Sequence, residues 1–404
     1  MIPKLRFPEF EDDYTKETLG AVSKDISYGI GAAAKPYDFE YRYLRITDID
    51  ESSFTNLTDG NSVSPNCSQR EAKEYILDKG DVVLARTGAS VGKMFLNTKY
   101  ENLVYAGFLI RFKVNSKALP YYLTTSLQTQ RYNKWVSIMS VRSGQPGINA
   151  KEYSRYPLNL PSLQEQKRVS SLFASLDQKI NLLTKKKEAL ETYKKGLMQK
   201  IFSQELRFKR EDGTDYPEWK TFKLSEVLIE HKKRSDGSEQ VHSVSVHKGV
   251  VNQIEHLGRS FAAKDVSNYN KVLFGDIIYT KSPTGDFPYG IIKQSYVERA
   301  IVSPLYCVTS PIDINIGYLL NWFFESKINV HNYLHPIIQK GAKNTINITN
   351  TTFLSRSLSL PSDMAERQKI KDMYSSLNDN LRTLESEILK VTEFKKGLLQ
   401  QMFV

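Results

Sequence analysis

Cysteine is scarce. Cys67 and Cys307 are the only two in 404 residues. Two thiols so far apart build no disulfide framework, so a reducing cytoplasm is the expected compartment. No uninterrupted apolar run is long enough to span a bilayer, and no charged-then-apolar leader follows Met1, so no membrane association is expected. Histidine is missing from the whole first half: His231, His242, His247, His256, His331 and His335 are all six. His331 and His335 are spaced i, i+4 as zinc ligands can be, but no Glu follows the first and Pro336 follows the second. A zinc site needs three or four convergent ligands, so ordinary surface or core histidines are expected.

Catalytic motifs are also lacking. Gly88-Ala89-Ser90-Val91-Gly92-Lys93-Met94 looks like a phosphate loop, but one residue is missing between the glycines. Met94 stands where a magnesium-binding hydroxyl is required. Gly29-Ile30-Gly31 is not completed to a dinucleotide fingerprint, and no N/D-P-P-Y/F motif of amino-methyltransferases occurs. No pair of carboxylates stands out as an acid/base couple.

What is present is a duplication. Leu160-Pro161-Ser162 opens a helical run ending Lys194-Lys195-Gly196-Leu197-Met198-Gln199, and Leu360-Pro361-Ser362 opens one ending Lys395-Lys396-Gly397-Leu398-Leu399-Gln400. The first apolar seam takes Phe173, Leu176, Ile180, Leu183, Leu190, Leu197 and Ile201. Tyr374, Leu377, Leu381, Leu384, Val391, Leu398 and Met402 repeat it in the same register. Each seam carries one lysine, Lys194 and Lys395, at matching positions. A seam of this period predicts a coiled coil. Leu176, Ile180, Leu183, Leu190 and Leu197 are expected to pair with Leu377, Leu381, Leu384, Val391 and Leu398.

The preceding segments repeat as well. Leu5-Arg6-Phe7 and Pro8-Glu9-Phe10 return as Leu206-Arg207-Phe208 and Pro217-Glu218-Trp219. Gly80-Asp81-Val82-Val83 returns as Gly275-Asp276-Ile277-Ile278. The chain therefore divides into a mixed domain over 1–157, a spacer helix over 158–203, a second domain over 204–357 and a second helix over 358–404. The class is α+β. Strands are expected over Val82–Leu84 and Leu103–Val114, and helices over Pro120–Val136 and Ile316–Ser326. A compact chain would return the second helix along the first, giving an antiparallel pair with a pseudo-two-fold internal repeat. Two such domains on a rigid spacer suit two separated half-sites on one duplex.

The net charge is +11, which favours a polyanionic partner. Basic loops rich in small polar residues follow the G-D strands and precede the L-P-S segments in both halves. Arg86, Lys93, Arg142, Gln145, Lys281, Lys340, Lys343 and Asn344 are the candidate DNA contacts, because Arg reads guanine and Gln or Asn reads adenine. Lys185-Lys186-Lys187 on the first helix would either lie near DNA between the half-sites or form a solvated face, and the solvated face is favoured.

Pro3-Lys4-Leu5-Arg6-Phe7-Pro8-Glu9-Phe10, the two G-D strands and above all Leu160–Arg168 and Leu360–Lys369 carry a resemblance. Over its whole length the chain resembles the specificity (S) subunit of type I restriction–modification systems. The resemblance implies two target-recognition domains, each reading one half of a bipartite double-stranded DNA sequence. It implies that the helices set the spacing and dock two modification (M) subunits, which bind S-adenosylmethionine and methylate adenine at N6. Restriction (R) subunits that use ATP and Mg would join them. The S subunit itself would hold no cofactor and no catalytic centre. Two other readings are a single-chain restriction or modification enzyme and a coiled-coil interaction module without DNA function.

Overall fold

The computed structural model describes residues 2–50, 57–262, 265–340 and 346–404. The repeat is visible first in its turns. Gly80 and Gly275 have φ of +94° and +90°, which suits glycine. The aspartate that follows each folds back on the turn: Asp81 accepts the N–H of Asp78 at 2.9 Å, and Asp276 that of Leu273 at 2.8 Å. Each turn launches a buried strand, Val82–Ala85 and Ile277–Tyr279. That strand is third in a four-stranded antiparallel sheet. The order in the first half is Ser23–Tyr28, Leu109–Val114, Val82–Ala85, Met94–Leu96. In the second it is Leu228–Glu230, Cys307–Pro311, Ile277–Tyr279, Ile292–Gln294, the same topology.

Three helices follow each sheet. The expected single helix over Pro120–Val136 is two, Pro120–Ser126 and Gln130–Met139. Thr129 breaks it by accepting the N–H of Tyr132, as an N-cap hydroxyl does. Ser326 makes the same break between Ile314–Phe323 and Lys327–Leu334. The expected strand over Leu103–Val114 is likewise two, Leu103–Tyr105 and Leu109–Val114. The first of these leaves the sheet to run parallel to Arg42–Leu44. The corresponding outer pair of the second half, Asn270–Leu273 and Arg299–Val302, is antiparallel. The frame is repeated and the outer strands are not.

The L-P-S segments close each domain. Pro157–Leu160 pairs with Thr15–Thr18, and Ser357–Leu360 with Lys220–Lys223, both antiparallel. Two helices follow, Leu163–Phe202 and Met364–Met402. Their first turns are clamped alike. Arg6 donates Nε and Nη2 to the two oxygens of buried Glu165 at 2.9 and 2.8 Å. Arg207 does the same to buried Glu366 at 3.3 and 3.2 Å. Burial and the Glu165 hydrogen bond hold the Tyr14 phenol well above its ordinary pKa.

The chain resolves into two compact units, 1–184 with 386–404, and 185–385. The division falls inside the long helices, so each unit holds part of both. In the first unit Phe173 meets Phe403, with ring centroids 5.7 Å apart, and Lys395 meets Asp177. In the second, Lys187 meets Glu385, and Leu197, Met198 and Ile201 share a core with Ile370, Tyr374 and Leu377. Rising numbers on one helix meet falling numbers on the other, so the pairing within each unit is antiparallel. All fourteen apolar seam residues named above are buried or half-buried, whereas Leu182 and Leu389 off the seam are 60% and 58% exposed.

The seam lysines have matched partners. Lys395 donates to Asp177 at 2.6 Å and Gln128 at 2.9 Å. Lys194 donates to Asn378 and pairs with Glu325, both at 2.7 Å. Lys395→Met should lower the stability of the first unit by about 2 kcal/mol, the worth of hydrogen bonds to a charged group. A double-mutant cycle with Asp177→Asn, followed by urea unfolding, should return a coupling of about 1 kcal/mol or more, and strict additivity would contradict the contact.

Candidate nucleic-acid interface

The antiparallel register gathers four residues at one end of the first sheet. Tyr28 ends its strand, Phe108 precedes Leu109, Arg86 follows Ala85 and Lys93 precedes Met94. The backbone of Arg86 is held from both sides: its N–H donates to Phe108 O at 3.0 Å, and its carbonyl accepts the N–H of Ile148 at 2.9 Å. The second basic loop therefore lies directly on the first. Gly88 N–H donates to Pro146 O at 2.9 Å, and Thr87 bridges Gly147. A Cβ on Gly88, where φ is +69°, would stand 2.8 Å from Gln145 Nε2. The lookalike phosphate loop is thus a 3-10 turn at Gly88–Ser90 leading into a strand, with no helix N-terminus to cradle an anion.

The candidate residues are not equivalent. The Arg86 guanidinium lies over the Tyr28 ring, 4.9 Å from its centroid. Gln145 is exposed and Lys93 half-buried. Arg142 is engaged within its own domain. Its Nη2 donates to both carboxylate oxygens of Glu152 at 2.7 and 2.6 Å, and its Nη1 to the carbonyls of Met139 and Val141 at 2.9 Å. Glu152 also caps the next helix by accepting the N–H of Asn149 at 2.9 Å. Arg142 thus staples the loop between two helices.

In the second sheet Lys281 occupies the place of Arg86. Its φ is +55°, a conformation that is uncommon outside glycine. The close neighbour is Gly290, where a Cβ would meet Lys281 N at 3.0 Å. Burial pushes the Lys281 amine below its ordinary pKa. Lys340 is described by its backbone alone, in a ribbon where it pairs with Ile346. Lys343 and Asn344 lie outside the described residues. His331 and His335 stack on each other with centroids 4.9 Å apart, beside Tyr289. Among the described residues no group of three His, Cys, Asp or Glu is placed to hold a metal. No described helix is long and apolar enough to cross a membrane.

Sequence reasoning missed Tyr28 and Phe108, which are 40% and 59% exposed. It also missed Lys232 and Lys233, exposed just beyond the strand Leu228–Glu230 at the corresponding end of the second sheet. The signal for Lys232 and Lys233 was the basic run His231-Lys232-Lys233-Arg234. Tyr28 and Phe108 gave none, because their place at a sheet end depends on strand order.

Gly88→Ala should destabilise the first unit by about 1–2 kcal/mol, since it forces a side chain into left-handed backbone and against Gln145. Gly144→Ala, where a Cβ would meet nothing within 4 Å, should leave the melting temperature unchanged.

Parts of this chain are similar to known proteins. A model of the type I restriction modification DNA specificity domain matches residues 40–192, which contain Arg86, Lys93, Phe108 and both basic loops of the first domain but not Tyr28. The type I restriction enzyme MjaVIII specificity subunit of Methanocaldococcus jannaschii is 27% identical over 162 residues, covering 39% of this chain and 37% of that protein. The EcoKI specificity subunit of Escherichia coli is 26% identical over 178 residues, covering 42% of this chain and 36% of that protein. The chain thus matches little over a third of the length of either relative. The S subunit of the type I restriction-modification system from M. genitalium has the same fold over 100% of this chain and 99% of its own, with a TM-score of 0.62 at 12% identity. Residues 40–192 are thus similar to the DNA specificity domain of type I restriction–modification systems, and the whole chain shares the fold of a type I S subunit.

Proposed function

We propose that this chain is the DNA-reading subunit of a type I restriction–modification complex. Each domain reads one half of a bipartite double-stranded target with the loops at one end of its four-stranded sheet. The long helices dock two modification subunits, which bind S-adenosylmethionine and methylate adenine at N6. Restriction subunits that use ATP and Mg join the same assembly. The chain itself contributes recognition and scaffolding rather than catalysis.

The observation that carries this reading is the DNA specificity domain matched at 40–192 on a frame that occurs twice. A basic chain presenting Arg, Lys and Gln from paired loops has the groups that contact phosphates and base edges. The net charge of +11 supplies the sequence-independent part of the attraction.

The reading is tested by selecting bound duplexes from a randomised pool with the purified complex of this chain and its modification subunit. The enriched sequences should share a two-part motif with a fixed gap, and affinity should fall steeply between 50 and 200 mM salt, by roughly a thousandfold or more. Enrichment of no motif by an intact complex would contradict it.

A further inference from the structure

Arg86 has an aromatic ring for a partner in place of a carboxylate. Arg42, Arg45, Arg111 and Arg142 each reach a carboxylate, on Asp59, Asp48, Asp25 and Glu152. Arg86 reaches none. Its guanidinium stacks on Tyr28, and among the described residues no carboxylate or carbonyl takes its N–H groups. The ring beneath it is fixed in turn, because Tyr28 Oη accepts the N–H of Ala150 at 3.0 Å. The backbone of Arg86 is pinned on both sides by Phe108 and Ile148. A half-buried arginine so held has lost much of its rotamer freedom before any ligand arrives, yet its donor fork is unspent.

Two partners suit a planar donor fork, a phosphate and the O6/N7 edge of guanine. The surroundings favour the base. Phe108, whose carbonyl holds the Arg86 N–H, is 59% exposed, and the Gln145 amide lies over Gly88 in the same loop pair. Apolar groups and an amide complement thymine methyl and adenine edges, whereas a phosphate is met by charge and main-chain N–H groups.

We infer that Arg86 reads one guanine in the half-site of the first domain through paired hydrogen bonds to O6 and N7, with Tyr28 as its positioning residue. The inference rests on the DNA-reading function proposed above. The second domain does not repeat this element. Lys281 takes the corresponding place and offers a point charge without a fork. The two halves of the target therefore differ in how this position is read.

The test uses the complex with the modification subunit and the motif that the wild-type complex selects. Replacing one guanine of one half by 7-deazaguanine, which lacks the N7 acceptor, should weaken wild-type binding roughly tenfold or more. Arg86→Gln should lose the preference for that guanine alone, keep the other half of the motif and become indifferent to 7-deazaguanine there. Tyr28→Leu should weaken binding severalfold, and Tyr28→Phe, which keeps the ring but loses the Oη contact to Ala150, should weaken it less.

Silence of 7-deazaguanine at every guanine of the motif would overturn the assignment without relying on any variant. So would an Arg86→Gln complex that binds all sequences more weakly, with an unchanged motif and a shallower salt dependence, since that is the mark of a phosphate contact. If the wild-type complex selected no motif, the DNA-reading function itself would fall and take this assignment with it.

Discussion

A lysine in an apolar helix seam is stable only if its charge is met, and this chain meets it twice. A buried ammonium without partners would cost several kcal/mol, enough to unzip the seam locally. Lys395 finds a carboxylate on the opposite helix, Asp177, and an amide on the domain, Gln128. Lys194 finds the reverse, an amide on the helix, Asn378, and a carboxylate on the domain, Glu325. Each lysine therefore ties together two helices and a domain with one carboxylate and one amide. Sliding one helix along the other would strand the lysine, so the contact selects a register as a buried polar seam residue does in coiled coils. Tyrosines reinforce both sites: Tyr121 donates to Asp177 and Tyr374 to Glu325, each at 2.6 Å.

On that frame the sheets hold their loops in the same place. Gly80 and Gly275 turn the chain, Asp81 and Asp276 lock the turn, and the strand that follows delivers Arg86 or Lys281 to the same end of its sheet. Frame and reading surface are separable. The four-stranded sheets share a topology, while the outer strands differ even in direction, parallel in one half and antiparallel in the other. A repeated frame with divergent edges suits the proposed reading of two different half-sites.

Much of this was legible in the sequence because it is periodic or local. The helix seam, the G-D turns and the restart at Leu206-Arg207-Phe208 each recur at a nearly constant offset, and duplication is robust to errors in any one element. The break at Thr129 was missed because a capping hydroxyl inside an apolar-periodic stretch reads as one more polar residue. The pairing of Arg142 was not legible for a different reason. A loop arginine looks free until its partner is known, and Glu152 is placed by a helix cap that no spacing rule announces. Tyr28 lies far from Arg86 in sequence and beneath it in space, since strand order brings their ends together.

The central claim is that this chain chooses where a partner methyltransferase acts. The most direct measurement is a genome-wide map of N6-methyladenine in cells making the modification subunit, with and without this chain. The account predicts a two-part motif with a fixed gap that is methylated only when the chain is present. An identical map in both cells, with the complex of the two proteins confirmed, would contradict it.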